Sequence, residues 1–85
     1  MKFLVFSVLD AKSEAYGMPL FFAAKGQAIR AFDDQVNSQE SLISKHPKDF
    51  TLCHIGEFDD TTGLLVPLNQ PVSLGTGADF KKGES

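Results

Sequence analysis

Residues 26–38 read Gly26-Gln27-Ala28-Ile29-Arg30-Ala31-Phe32-Asp33-Asp34-Gln35-Val36-Asn37-Ser38, and this stretch decides the fold class. Its apolar positions Ala28, Ile29, Phe32 and Val36 fall at i, i+1, i+4 and i+8, one stripe of a 3.6-residue period, while Arg30, Asp33, Asp34 and Gln35 point elsewhere. The spacing predicts an amphipathic helix over 26–38 that must lay its stripe on an apolar surface. On both sides of it the sequence turns strand-like. Upstream, Phe3-Leu4-Val5-Phe6-Ser7-Val8-Leu9 has the length and density of a strand buried on both faces, and Leu20-Phe21-Phe22-Ala23-Ala24 reads as a second strand with Pro19 at its entrance, where a missing N–H is harmless. Downstream, Ser41–Ser44 adds a short turn and Pro47 ends any helix. Residues 50–58 form a β-rich run, and Asp59-Asp60-Thr61-Thr62-Gly63 is a hairpin connection to Leu64-Leu65-Val66-Pro67-Leu68, where Pro67 marks an edge or an end. Residues 69–77 read as loop, and 78–85 as a charged, mobile tail. The order strand, strand, helix, strand, strand predicts an α+β domain over residues 1–77. It is a small antiparallel or mixed sheet of about four strands with one main helix on one face.

Composition agrees with a single small globular unit. The chain has 85 residues and 9.3 kDa, 42% hydrophobic and 22% charged residues, and a unit of this size has a radius of gyration of about 12 Å if round. A deep multi-part active site does not fit in so small a core. Eight Lys and Arg against eleven Asp and Glu leave a net charge of −3, without the basic excess of a strong duplex-DNA or anionic-membrane binder. One cysteine, Cys53, excludes an internal disulfide and a zinc or redox pair. The short apolar start before Asp10 lacks a signal peptide's cleavage site, and no segment approaches the ~20 apolar residues of a membrane span. These features predict a soluble protein of a reducing cytoplasm that does not engage the membrane.

Reactive constellations are absent. Asp33 and Asp34 project about 100° apart on a helix and so form no dyad. Asp59-Asp60 sits among turn formers, without the ligand alternation of a calcium loop. Cys53 and His54 are strand neighbours that face opposite ways, so they cannot act as nucleophile and base. His46 and His54 have no matching ligand set for a metal. Gly75-x-Gly77 lacks the strand and long helix of a phosphate-binding turn and reads as flexible loop. No catalytic residue, metal or cofactor is expected, and the chain reads as a non-enzyme.

What remains is a set of cations interleaved with aromatics: Lys2, Lys12, Tyr16, Phe21, Phe22, Lys25 and Arg30, then Lys45, His46, Lys48 and Phe50. Single-stranded nucleic acid binding uses such a set, with aromatic faces stacking bases and cations tracking phosphates. The plain alternative is that the Phe residues are core and the Lys ordinary surface. Phe21 and Phe22 are adjacent in a strand and face opposite sides, and one helix covers one side. The other side then stays wet or is covered by a second subunit, which predicts a homodimer, unless the sheet closes like a barrel.

The segments Gly26–Phe32 and Ser44-Lys45-His46-Pro47-Lys48-Asp49-Phe50-Thr51-Leu52, continuing through Ile55-Gly56-Glu57-Phe58-Asp59-Asp60-Thr61-Thr62-Gly63, resemble the small non-structural protein of gokushovirus-type microviruses, the single-stranded-DNA phages. The opening strand with Ser7 and Asp10, then Lys12-Ser13-Glu14-Ala15 and residues 19–22, is similar too, so the resemblance runs from residue 2 to about 70. It implies a non-structural phage protein in the host bacterial cytoplasm that binds single-stranded DNA. The proposed role is support of the switch to single-stranded genome synthesis and packaging. Arg30, Lys45, His46 and Lys48 are the basic residues of the matching segments and the expected phosphate contacts, extended by Lys12 and Lys25, with Tyr16, Phe21 and Phe22 stacking bases. For an acidic chain this requires a local basic patch, with Asp59, Asp60, Asp79 and Glu84 held at the other end. The alternative is an interaction module, a dimeric adaptor for viral or host replication or assembly proteins.

Overall fold

The computed structural model describes residues 1–82. Strand β1 (Lys2–Asp10) is followed by two short strands, β2 (Ala15–Tyr16) and β3 (Leu20–Phe22), then by helix α1 (Lys25–Val36) and the single turn α2 (Leu42–Lys45). A 3-10 turn (Pro47–Asp49) leads into β4 (Phe50–Asp59), the hairpin to β5 (Leu64–Thr76), and the last turn α3 (Gly77–Phe80). The sheet order is β2-β1-β4-β5, β3 also pairs with β1, and every pairing is antiparallel. The fold is therefore α+β. Among the described residues the β2/β3 side and β5 remain as separate edges, so the sheet does not close into a barrel there.

The helical stripe works as its period requires. Ala28, Phe32 and Val36 are buried on the sheet against Phe6, Phe50 and Leu52, with Leu4, Val8 and Phe22 at the margin. Pairing sets which strand residues share that face: Phe6 lies opposite His54, Val8 opposite Leu52, and Leu4 opposite Phe22. α1 stops two residues before the expected Ser38. Asn37 Nδ2 donates to Asp33 O and Asp33 Oδ1 at 3.0 and 2.8 Å beside the Asn37 N–H bond to the same carbonyl, and the Ser38 N–H closes the end with an i→i+3 bond to Gln35 O at 3.3 Å.

Three expectations need correction. β3 ends at Phe22 because Ala23 and Ala24 turn the chain into α1. Residues 69–77 are not loop: β5 runs to Thr76 through two prolines. An edge strand tolerates them because its outer side needs no N–H, and Pro67 sits opposite Gly56, where a Cβ would lie 2.7 Å from Val66 O. Residues 68–71, with Pro71, bulge opposite Ile55, where the register shifts. Gly77 is buried at the start of α3. The tail expected from residue 78 is in place at its start: Phe80 meets Phe32 edge-on at 5.7 Å, and Lys81 Nζ donates to Ser44 Oγ, Ser44 O and Val36 O at 2.9, 3.2 and 3.4 Å. A cation on the last carbonyls of α1 and α2 is favoured by both hydrogen bonding and the helix dipole. Residues 83–85 of that expected tail lie outside the described residues. The long hairpin stretches the molecule to 47 × 24 × 18 Å, and the radius of gyration is 13.3 Å, above the ~12 Å of a round chain.

Candidate nucleic-acid interface

One helix covers one face of the sheet; on the opposite face Val5, Ser7 and Cys53 are buried, Ser7 Oγ donating to Gly17 O at 2.8 Å, and the aromatics around them carry the candidate site. Residues paired directly across strands share a face. Tyr16 lies opposite Leu9, Phe21 opposite Val5, Phe3 opposite Phe58, and Phe58 opposite Leu65, so all belong to the side away from α1. Tyr16 and Phe21 are 46% and 47% exposed, as a stacking surface must be. Phe21 meets Phe58 edge-to-face with centroids 5.8 Å apart. Phe21, Val5, Pro19, Gly56, Leu65 and Pro67 surround a shallow apolar hollow of about 220 Å³. Its floor is open because Gly56 has no side chain. Phe22, expected beside Phe21 as a stacking residue, belongs instead to the helix-facing core, 6.0 Å from Phe6 and half-buried. Strand alternation forces that split.

The expected cations divide between two places. Lys45 and Lys48 line one cleft with Ser44, Pro47 and Lys81. Lys12 and His46 line a neighbouring one with Asp10, Asp49, Leu42 and Phe50. Both clefts flank the 3-10 turn at the Asp10–Phe50 end of the sheet, and Lys12 stands in the turn that leads to Tyr16. Lys25 and Arg30 are exposed on α1. Arg30 follows buried Ala28 by two residues, about 200° around the helix, so it points away from the sheet and does not join the aromatics.

The acids are only partly segregated. Asp59 and Asp60 occupy the hairpin tip at the far end of β1, about 30 Å of strand away. There the Met1 amine donates to Asp60 Oδ1 at 2.7 Å and lies 4.0 Å from Asp59. The Asp59 carboxyl is held below its usual range, chiefly by the Thr61 N–H at 2.9 Å, and the amine is raised, chiefly by Asp60. Asp79, expected at that end, lies at the other one instead. Its Oδ2 accepts from Thr76 N at 2.8 Å to cap α3, and α3 packs Gly77 on Pro47. Glu84 lies outside the described residues. At the basic end Lys82 Nζ is 3.5 Å from Asp33 Oδ2.

Cys53 and His54 face opposite sides as strand neighbours should. Cys53 lies across from Ser7 and His54 from Phe6. Burial pushes the Cys53 thiol up, with the Tyr16 hydroxyl pulling weakly the other way, so the thiolate is disfavoured. His54 Nε2 donates to Gly56 O at 3.0 Å. Among the described residues no group of three or more His, Cys, Asp or Glu stands close enough to hold a metal, and no helix is long and apolar enough to cross a membrane.

Phe3 and Phe58 belong to the face away from α1 but were not among the expected residues. Their strand alternation was readable, whereas the register that puts them beside Phe21 was not. Lys81 lay hidden in the presumed tail. A family profile described as Phage ORF5 protein matches residues 3–80. Protein ORF5 of Chlamydia phage 1 is 34% identical over 73 residues, covering 81% of this chain and 76% of that protein. No solved structure matches.

Proposed function

Because the chain belongs to the Phage ORF5 family of small microvirus proteins, we propose that it is a non-enzymatic protein of the infected bacterium's cytoplasm that binds single-stranded DNA, supporting the switch to single-stranded genome synthesis and packaging. The observation that carries this reading is the pair of half-exposed aromatics, Tyr16 and Phe21, on the sheet face away from α1, with the cations Lys12, Lys45 and Lys48 and His46 gathered at one end. Sheet aromatics stack unpaired bases, and neighbouring cations hold the phosphates. Tyr16 and Phe21 sit four β1 residues apart, at Leu9 and Val5, or about 13 Å. That exceeds the ~3.4 Å rise of stacked bases, so the bound strand is splayed over the face. It enters at the end where Lys12, Lys45 and Lys48 stand, since those cations attract phosphate.

Anisotropy of a labelled oligonucleotide, single-stranded against duplex and at two salt concentrations, tests this. Three phosphate contacts from Lys12, Lys45 and Lys48 correspond to a log–log salt slope of about −2, and Lys45→Ala with Lys48→Ala removes about 1.4 of it. Tyr16→Ala and Phe21→Ala each weaken binding about tenfold, from ~1–3 kcal/mol of stacking per base. Arg30→Ala leaves it unchanged, because Arg30 points away from that face. Equal affinity of the Lys45, Lys48 variant and the wild type removes the reading.

A second reading, an adaptor for viral or host replication or assembly proteins, is favoured by the exposed apolar residues Leu64, Leu65 and Val66 of the hairpin. It becomes the better account if no oligonucleotide binds at low salt.

A further inference from the structure

We infer that two copies of this chain associate through the edges of β5, pairing Leu64-Leu65-Val66 antiparallel with the same residues of the second copy. These three are 61%, 62% and 57% exposed, and successive strand residues face opposite ways, so the edge is apolar on both sheet faces. β5 is the terminal strand of the sheet order, and among the described residues nothing pairs on its outer side. An exposed apolar edge is a template for strand addition. A helix or a flat surface would cover one face of it, whereas a strand covers both.

Charge and register select a second copy with a two-fold axis at Leu65. Directly opposed residues in an antiparallel pair must both present their N–H and C=O outward or both inward. An axis through a residue satisfies this, whereas an axis between two residues does not. An axis at Leu65 sets Leu65 against Leu65 and Leu64 against Val66. An axis at Val66 would bring Pro67, which lacks an N–H, into the ladder, and one at Leu64 would exchange the apolar partners for Gly63 and Thr62. The ladder holds no charge, so two chains of net charge −3 meet without repulsion at the contact. The antiparallel arrangement also sends the hairpin tips to opposite ends and holds the two Asp59, each across from Leu64 on its own β4, about 16 Å apart by strand rise and strand spacing, beyond the ~8 Å screening length at physiological salt. A parallel arrangement would stack them. The isologous contact closes at two subunits and leaves the face with Tyr16 and Phe21 open, so it stands whether or not DNA is bound. A ladder this short makes a weak, concentration-dependent dimer.

The test uses the full chain with Cys53→Ala. Leu65→Cys places two thiols opposite each other within disulfide range, whereas Val66→Cys sets them about 8–9 Å apart, outside it. Mild oxidation is expected to cross-link the first at least tenfold faster than the second. Sedimentation velocity of the wild type up to about 1 mM, the concentration scale of the weakest specific contacts, is expected to show a monomer–dimer equilibrium. Leu65→Lys abolishes it while leaving the circular dichroism spectrum and thermal melt unchanged, since that side chain is exposed. A wild type that stays at 9.3 kDa throughout, equal cross-linking of the two cysteine variants, or a Leu65→Lys protein that still dimerises overturns the inference.

Discussion

Gly77→Ala opposes two principles, and the structure says which wins. Gly77 opens α3 with an unstrained φ, so helix propensity alone favours alanine by about 0.5–1 kcal/mol. Its absent Cβ, however, would lie 2.5 Å from Pro47 O, 2.9 Å from Pro47 Cα and 3.1 Å from Pro47 C. Ordinary contact begins near 3.4 Å, so α3 and the 3-10 turn must part by about 0.9 Å, and neither can rotate away because the obstructing atoms are backbone. A gap of that size forfeits a quarter to a half of each dispersion contact it opens, including those behind the Phe80–Phe32 pair. Overpacking of this kind costs about 1–3 kcal/mol. Subtracting the propensity gain leaves a net loss of about 1–2 kcal/mol and a fall in Tm of about 5–15 °C for a domain of this length. Gly26→Ala is the control: nothing lies within 4 Å of its Cβ position, so only propensity acts and the Tm rises by a few degrees. Thermal unfolding followed by circular dichroism, with both variants beside the wild type, decides the matter. A Gly77→Ala protein that melts within about 2 °C of the wild type, or above it, refutes the steric argument.

Asn37→Ala removes the joint between α1 and the chain end, where Asn37 Nδ2 donates to Phe80 O at 3.0 Å and Oδ1 accepts from Lys82 N at 2.8 Å. One part-buried and one exposed bond at ~0.5–1.5 kcal/mol each predict a loss of about 1–3 kcal/mol, measured by urea denaturation, and faster amide exchange over 77–82 before anywhere else. The hairpin-tip clasp is bounded by pH at both ends. The raised Met1 amine contributes below 8.0 and loses that contribution as pH rises through its folded value, while the depressed Asp59 carboxyl contributes above 3.8 and loses it as pH falls through its folded value. Acylation of Met1 near pH 8 is therefore slower than in Asp60→Asn, and equal rates would contradict the clasp. The Cys53 thiol, raised by burial, reacts with a disulfide reagent at pH 9 at least tenfold more slowly in the native chain than in the unfolded one. Equal reactivity would mean that the sheet opens there.

Sequence periodicity located the helix, β1, β4 and the 59–63 hairpin because these signals are local. A 3.6-residue stripe at Ala28, Phe32 and Val36 and apolar runs at 3–9 and 50–58 need no knowledge of their partners. It located the start of β5 at 64–68, with Pro67 at an edge, but failed over 69–76, where Pro71 and the glycines read as loop. The bulge at 68–71 that lets the strand run on past Pro71 belongs to its pairing with β4, and no window of sequence carries it. It failed again at 78–82, where Phe80 and Lys81 look like a charged tail until Phe32 and the carbonyls of Val36 and Ser44 are in place around them.

The candidate site divides along the same line. That Phe21 and Phe22 face opposite sides follows from strand alternation, so the sequence alone determined that one of them lies on the face α1 does not cover. Which one is exposed depends on the pairing of Leu4 with Phe22 and Val5 with Phe21, and on α1 packing over the Leu4–Phe6 side. The same register brought Phe3 and Phe58 beside Phe21, and the path of the chain around the 3-10 turn set Lys12 and His46 in one cleft and Lys45, Lys48 and Lys81 in the next, while turning Arg30 away. Backbone period is a property of neighbouring residues. The company each side chain keeps is set by contacts between residues tens of positions apart, and only the tertiary structure decides it.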